Sequence, residues 1–293
     1  FTFLCNNALM QILLNSIAII LRIFSNSFSN VFQKKLTCNG EHPANANFIN
    51  YLLMSIISIP LLYFVDFARF TPELFLSAIA GGITGAIGNC FMVLALKKGE
   101  LSVLGPINSY KAIVGMIFGI FILHEYPNIY GLLGIALIIF GSYFILESPK
   151  ALIRKDIQFR IYALIFTAIE AVFIKKVILL TSITSSFVIS SFLGAIFSYI
   201  IMKFLSPQKL KLINIKNSIL YILTTLCFAL MTFSTAYVFK YINVGYALSL
   251  FQLSIIVNVI LGYKLFNEKN LFKKLFGSII ILFGSTVILL LGH

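Results

Sequence analysis

The stretch from Lys97 to Leu146 returns without a gap 143 positions later, from Lys240 to Leu289. Glu125, Gly134 and Gly141 fall on Glu268, Gly277 and Gly284, and IIFGS (Ile138 to Ser142) falls on ILFGS (Ile281 to Ser285). Earlier in each half, VFQKKL (Val31 to Leu36) answers VFIKKV (Val172 to Val177) at an offset of 141. The chain therefore reads as two copies of one hydrophobic unit of roughly 145 residues. We take the first repeat as residues 1–150 and the second as residues 151–293.

The unit belongs in a membrane. The chain is 60% hydrophobic and 11% charged, with a mean hydropathy of +1.01, whereas a soluble domain carries about 25% charged residues. The net charge of +13 sits mostly in short basic clusters between apolar runs. That pattern points to the lipid bilayer as partner and not to nucleic acid. A helix needs about 20 apolar residues to cross the hydrocarbon core. Ten such spans are predicted, at 9–32, 48–65, 74–96, 103–123, 129–146, 157–174, 182–204, 217–239, 246–266 and 271–291. The apolar runs are continuous and not alternating, which excludes a transmembrane β-barrel. Each repeat supplies five spans, and five is odd, so the second copy enters the membrane from the opposite side. The predicted fold is all-α: ten transmembrane helices as two inverted five-helix repeats.

Other classes find little support. No CxxC or Cys/His pair stands at metal-ligand spacing among Cys5, Cys38, Cys90 and Cys227, so neither a metal site, a cofactor nor a disulfide framework is expected. His42, His124 and His293 fall in loops or at the terminus. The nine acidic residues are scattered, without H-E-x-x-H or an Asp-rich motif, which argues against an enzyme and leaves no catalytic residue to name. The N-terminal FTFLCNNALM has no basic n-region and does not read as a signal peptide. The longest loops are expected at 33–47 and 147–156, with a basic run at Ser206 to Lys216. Lysines and arginines concentrate in the loops after spans 1, 3, 5, 7 and 9, which by charge count places both termini outside the cytoplasm.

Ionisable residues at membrane depth cost about 2.5–3.5 kcal/mol on insertion scales, so they mark function by default. Arg22 in span 1, Lys111 in span 4 and Glu170 in span 6 are the three. Asn108, Lys111 and Gly115 share one helical face, and their repeat partners are Phe251, Ser254 and Asn258 in span 9. In span 1, Asn15, Arg22, Asn26 and Ser29 form a similar stripe, with Thr167 and Glu170 as the partners of Asn26 and Ser29. The expected substrate site is therefore Lys111, Asn108, Ser254, Asn258, Arg22, Asn26 and Glu170. Tyr110, Gln252, Thr224, Thr232, Ser234 and Thr235 are weaker candidates. Glycine pairs Gly134/Gly141 and Gly277/Gly284 put a smooth face on spans 5 and 10, which serves either packing between the halves or a homodimer. Pro106 and Pro60 are expected to bend spans 4 and 2.

The repeats ALKKGELSVLGPINSYKAIVGMIFGIFILHEYPNIYGLLGIALIIFGSYFIL (Ala95 to Leu146) and YVFKYINVGYALSLFQLSIIVNVILGYKLFNEKNLFKKLFGSIIILFGSTVILLL (Tyr237 to Leu291) carry a resemblance. With ten helices and a GxxxGxxLIxxGxxxL-type ending to each half, they resemble the drug/metabolite transporter superfamily, in particular its bacterial EamA-like branch. Glu125 and Glu268 match the family's Glu after spans 4 and 9. SYKAI (Ser109 to Ile113) is similar to the YQxKI pattern of nucleotide-sugar members, though without its glutamine. The resemblance implies alternating access around a site lined by spans 1, 3, 4, 6, 8 and 9, with both termini cytoplasmic. It also implies a multi-pass protein of the bacterial cytoplasmic membrane. The expected activity is secondary transport, in the export direction, of a small polar metabolite such as an amino acid or amine. Lys111 would hold an anionic group, and Glu170 and Arg22 would tune the site or carry a coupling proton. The alternatives are a nucleotide sugar or other anionic metabolite, and then a non-transporting membrane protein or intramembrane enzyme.

Overall fold

The computed structural model describes residues 2–66, 71–143, 154–205, 215–267 and 271–291. They form twelve α-helices and no strand. Span 1 is α1 (Thr2–Cys38), span 2 is α2 (Pro43–Ser58) with a 3-10 extension (Ile59–Phe64), and span 3 is α3 (Pro72–Lys98). Span 4 is broken into α4 (Leu101–Ile107), a 3-10 turn (Asn108–Tyr110) and α5 (Lys111–Leu123). Spans 5 to 8 are α6 (Ile129–Tyr143), α7 (Lys155–Leu180), α8 (Ile183–Leu205) and α9 (Ser218–Tyr241). Span 9 is again broken, into α10 (Val244–Leu250), a 3-10 turn (Phe251–Leu253) and α11 (Ser254–Phe266), and span 10 is α12 (Leu271–Leu291). Seven of these spans are apolar and long enough to cross a membrane. The stretches Ile129–Gly141 and Leu275–Ile288 are shorter apolar helices, and α7 carries Arg160, Glu170, Lys175 and Lys176 along its length.

Local chemistry sets the ends. Thr71 caps α3 by accepting from the Leu74 amide at 3.3 Å, Pro72 and Glu73 open it, and Lys97 and Lys98 close it. Each of these complements the unpaired amides at one end or the carbonyls at the other. The loop expected at 33–47 shrinks to four residues, because α1 runs on to Cys38 and α2 begins at Pro43. Lys34 and Lys35 therefore ride on the last turns of α1. Lys34 is buried against Phe266, its ammonium 4.3 Å from the ring centroid.

The two broken spans carry the repeat into geometry. Every boundary in span 9 lies 143 positions after its counterpart in span 4, down to the 3-10 turns. Both spans end in a left-handed cap, at His124 (φ 56°) and Asn267 (φ 53°). Position 106 is proline and its equivalent 249 is serine, yet the same turn forms in both spans. Proline is therefore not what breaks span 4.

Helix contacts come in exchanged pairs. Helix α3 packs along α7 as α9 packs along α1, and α4 meets α11 as α10 meets α5. Spans 5 and 10 pack on each other. A Cβ on Gly134 would stand 2.7 Å from the Gly284 carbonyl oxygen, and one on Gly141 2.8 Å from that of Gly277. Rising numbers on one helix meet falling numbers on the other, so the two run antiparallel. Equivalent helices that run antiparallel are related by an axis in the membrane plane, which is the inverted arrangement. The glycine faces of spans 5 and 10 are thus used up inside the chain. Outward faces are apolar, as at Phe75, Leu76, Ile196, Ile222, Phe276 and Phe283, while buried polar residues gather at the interface of the halves.

Candidate functional site

A cavity of about 100 Å³ opens between the halves. Spans 1, 2, 3, 4, 6, 7, 8 and 9 all contribute to its wall. Of the residues expected from sequence, Arg22, Asn26, Asn108, Lys111 and Glu170 line it. Thr232 and Thr235, the weaker candidates of span 8, do so too.

Ser254 and Asn258 do not. Both are buried; the Ser254 carbonyl accepts from Ser27 of α1 at 3.4 Å, and Asn258 packs by Gly105 of α4. Two causes explain the misplacement. Ser254 stands at the equivalent of Lys111, but its short side chain does not reach where the four-carbon stem of the lysine does. Asn258 stands at the equivalent of Gly115, a position covered by Leu248 and off the cavity wall. The 3-10 turns also rotate the helix beyond them, so faces counted at a pure α-helical period drift.

Lys111 is the first residue after the 3-10 turn of span 4, and Asn108 the first within it. The Asn108 amide donates to Gln252 Oε1 at 3.2 Å, tying the two turns together across the pseudo-two-fold. Gln252 itself is buried behind the wall. Glu170 lies against α3 at Gly85, where a Cβ would come within 2.7 Å of its carboxyl carbon. Only a residue without a side chain leaves room for that carboxylate between α3 and α7. Lys111 lies within electrostatic reach of Glu170, Arg22 and Arg160, without forming an ion pair with Glu170 among the described residues. Tyr51 stands near Glu170 and accepts a hydrogen bond from the Asn89 amide at 2.7 Å.

Arg22 is 8% exposed. Its Nε donates to Thr235 Oγ1 at 3.3 Å, its guanidinium stacks over Phe251 at 4.4 Å, and its Nη1 has no partner. Arg160, 7% exposed, was missed in the sequence. It stands one turn into span 6, where a cation ordinarily snorkels to the interface. Instead its Nε donates to the Leu104 carbonyl at 3.0 Å and its Nη1 touches the Met92 sulfur. A signal was present: the position equivalent to Arg22 is 163, one helical turn from 160.

A second cluster starts at the residue after Ile174, off the cavity wall. The Lys175 ammonium pairs with Glu125 and donates to the Ile242 carbonyl at 2.7 Å, and Glu125 accepts from the Val244 amide at 2.7 Å. Glu125 thereby caps α10 while binding span 6 to the loop after span 4. The equivalent of Lys175 is Lys34, and the equivalent of Glu125, Glu268, lies outside the described residues. Among the described residues no three His, Cys, Asp or Glu side chains are grouped to hold a metal ion.

A family model for EamA-like transporters matches residues 13–147 and matches again at residues 156–290. The chain belongs to the EamA-like transporter family. It is a multi-pass integral membrane protein, and members of its family are transporters of the drug/metabolite type. No curated protein matches the chain. A solved structure described only as the crystal structure of a protein aligns over 97% of this chain and 98% of its own. The TM-score is 0.72 and the sequence identity 13%, a likeness of fold alone. The transporter's two family matches meet near the linker between α6 and α7, so each takes in five spans.

Proposed function

We propose that this transporter is a secondary carrier, not an enzyme, that moves a small polar metabolite by alternating access around the central cavity. The export direction and a bacterial cytoplasmic membrane are part of the same reading, drawn from the family resemblance. The observation that carries it is the meeting of Lys111 and Glu170 at one buried polar cavity between inverted halves. Lys111 holds an anionic group of the substrate, and Asn26 and Asn108 supply hydrogen bonds beside it. Glu170, the cavity's one carboxylate among the described residues, carries the coupling proton. The repeat units are 1–150 and 151–293. A homodimer through spans 5 and 10 would use their outer faces, where Leu133, Phe140, Ile279 and Phe283 are exposed.

Lys111→Ala tests the assignment. In proteoliposomes the variant loses transport while its expression and melting temperature hold. Transport at the wild-type rate would remove Lys111 from the site.

A further inference from the structure

We propose that the substrate is a small organic dianion held between Arg22 and Arg160, one guanidinium from each half. The inference deepens the transport reading and rests on it for the word substrate, though not for binding.

The ionisable side chains of the cavity wall are Arg22, Lys111, Arg160 and Glu170, with Tyr51. Lys111 and Glu170 act on each other as opposite charges, so Lys111 meets the ligand's anionic group as a partly balanced cation. Two guanidiniums are left over. Both are buried, and neither pairs with a carboxylate among the described residues. A buried cation without an anion is costly, and proteins normally pair it. Arg22 Nη1 is the clearest sign of a missing partner, since it is buried and unbonded.

The two arginines share one pair of equivalent neighbours. Thr235, which takes the Arg22 Nε, lies 143 positions after Met92, whose sulfur the Arg160 Nη1 touches. Arg22 and Arg160 are thus the same residue type, on the same face of equivalent spans, against equivalent neighbours in spans 8 and 3. One arm from each half, a helical turn out of register, forms a clamp across the interface of the halves. A guanidinium binds a carboxylate or phosphate through two parallel hydrogen bonds. Two of them suit a ligand with two negative charges, either a dicarboxylate or a phosphomonoester. An amine would enter against two uncompensated cations. The size also limits the ligand: a cavity of about 100 Å³ compares with the roughly 150 Å³ that admits benzene.

Thermal unfolding of the purified full chain, at constant ionic strength, reads the binding. The probes are succinate, glycerol 3-phosphate, lactate and putrescine. Succinate or glycerol 3-phosphate raises the melting temperature, and which of the two does so separates a carboxylate pair from a phosphoryl group. Lactate and putrescine leave it unchanged. Arg22→Gln and Arg160→Gln each abolish the dianion's shift, and Arg22→Lys and Arg160→Lys weaken binding at least tenfold. The lysine variants carry the test if the glutamine variants fail to fold. Protection by putrescine, equal protection by lactate and succinate, a shift that survives both substitutions, or no shift with either dianion would overturn the inference. Counterflow in proteoliposomes keeps the two readings apart. A dianion that binds without counterflow leaves the clamp standing and refutes transport. Counterflow of putrescine refutes the clamp and leaves transport standing.

Discussion

Two glycines one turn apart on α3, Gly85 and Gly88, face the same helix, α7, and predict opposite outcomes on replacement by alanine. At Gly85 the new methyl would lie 2.7 Å from the Glu170 carboxyl carbon and 3.2 Å from its Cγ. Those atoms end a flexible side chain, and a rotamer shift of about 0.5–1.5 kcal/mol moves them away. Alanine returns roughly 0.8–1.0 kcal/mol in helix propensity, so the net change in stability is close to zero. The carboxylate, however, is pushed off α3 into the cavity. At Gly88 the methyl would lie 2.9 Å from the Thr167 backbone nitrogen and 2.6 Å from its Cγ2. Backbone does not swing aside, so α3 and α7 must part by several tenths of an ångström. Overpacking of this kind costs about 1–3 kcal/mol, more than the propensity gain. Gly85→Ala should therefore keep the wild-type melting temperature and lose transport activity at least several-fold. Gly88→Ala should lower the melting temperature and keep whatever activity its folded fraction allows. Thermal unfolding and proteoliposome transport on the two variants check this. Equal stability with unchanged transport in both would refute the claim that the α3–α7 approach positions Glu170.

The Lys175–Glu125 pair should behave as a unit. Lys175→Ala leaves a buried carboxylate and costs about 3–5 kcal/mol, whereas the double variant with Glu125→Gln, which still accepts from the Val244 amide, regains most of that loss. A double-mutant cycle on thermal unfolding measures the coupling, and strict additivity would contradict the pairing. Outside the membrane, burial and then the charge of Lys97 hold His42 below its ordinary pKa. Its folded state resists protonation, so stability is intact above about pH 6.5 and falls as the pH drops below that value. His42→Gln should flatten this acid limb of the melting profile, and an unchanged limb would exclude His42 as its source.

Much of the fold was legible because a membrane leaves few options. Long apolar runs must be helices, and the repeat fixed both their pairing and the inversion. Pro106 pointed to a bend in span 4 alone, whereas the break is a 3-10 turn that span 9 shares without a proline. Arg22, Lys111 and Glu170 were legible for an energetic reason, since charge at depth is expensive. Ser254 and Asn258 were misread because side-chain reach and the rotation at a 3-10 turn decide which way a position faces, and neither can be read from an offset. Arg160 hid near a helix end, where a cation is ordinary until its partners are known. Glu125 looked like a family signature; its partner Lys175 lies fifty positions away on another span, a distance that no local pattern bridges.

Alternating access requires that one cavity serve both faces of the membrane in turn. Ser190 lines the cavity from span 7 and has been given no part in binding. With Cys5, Cys38, Cys90 and Cys227 replaced by serine, Ser190→Cys can be probed with a membrane-impermeant maleimide from either side of oriented vesicles. With alternating access the cysteine is labelled from each face. Labelling from one face only, whatever solute is present, would contradict alternating access.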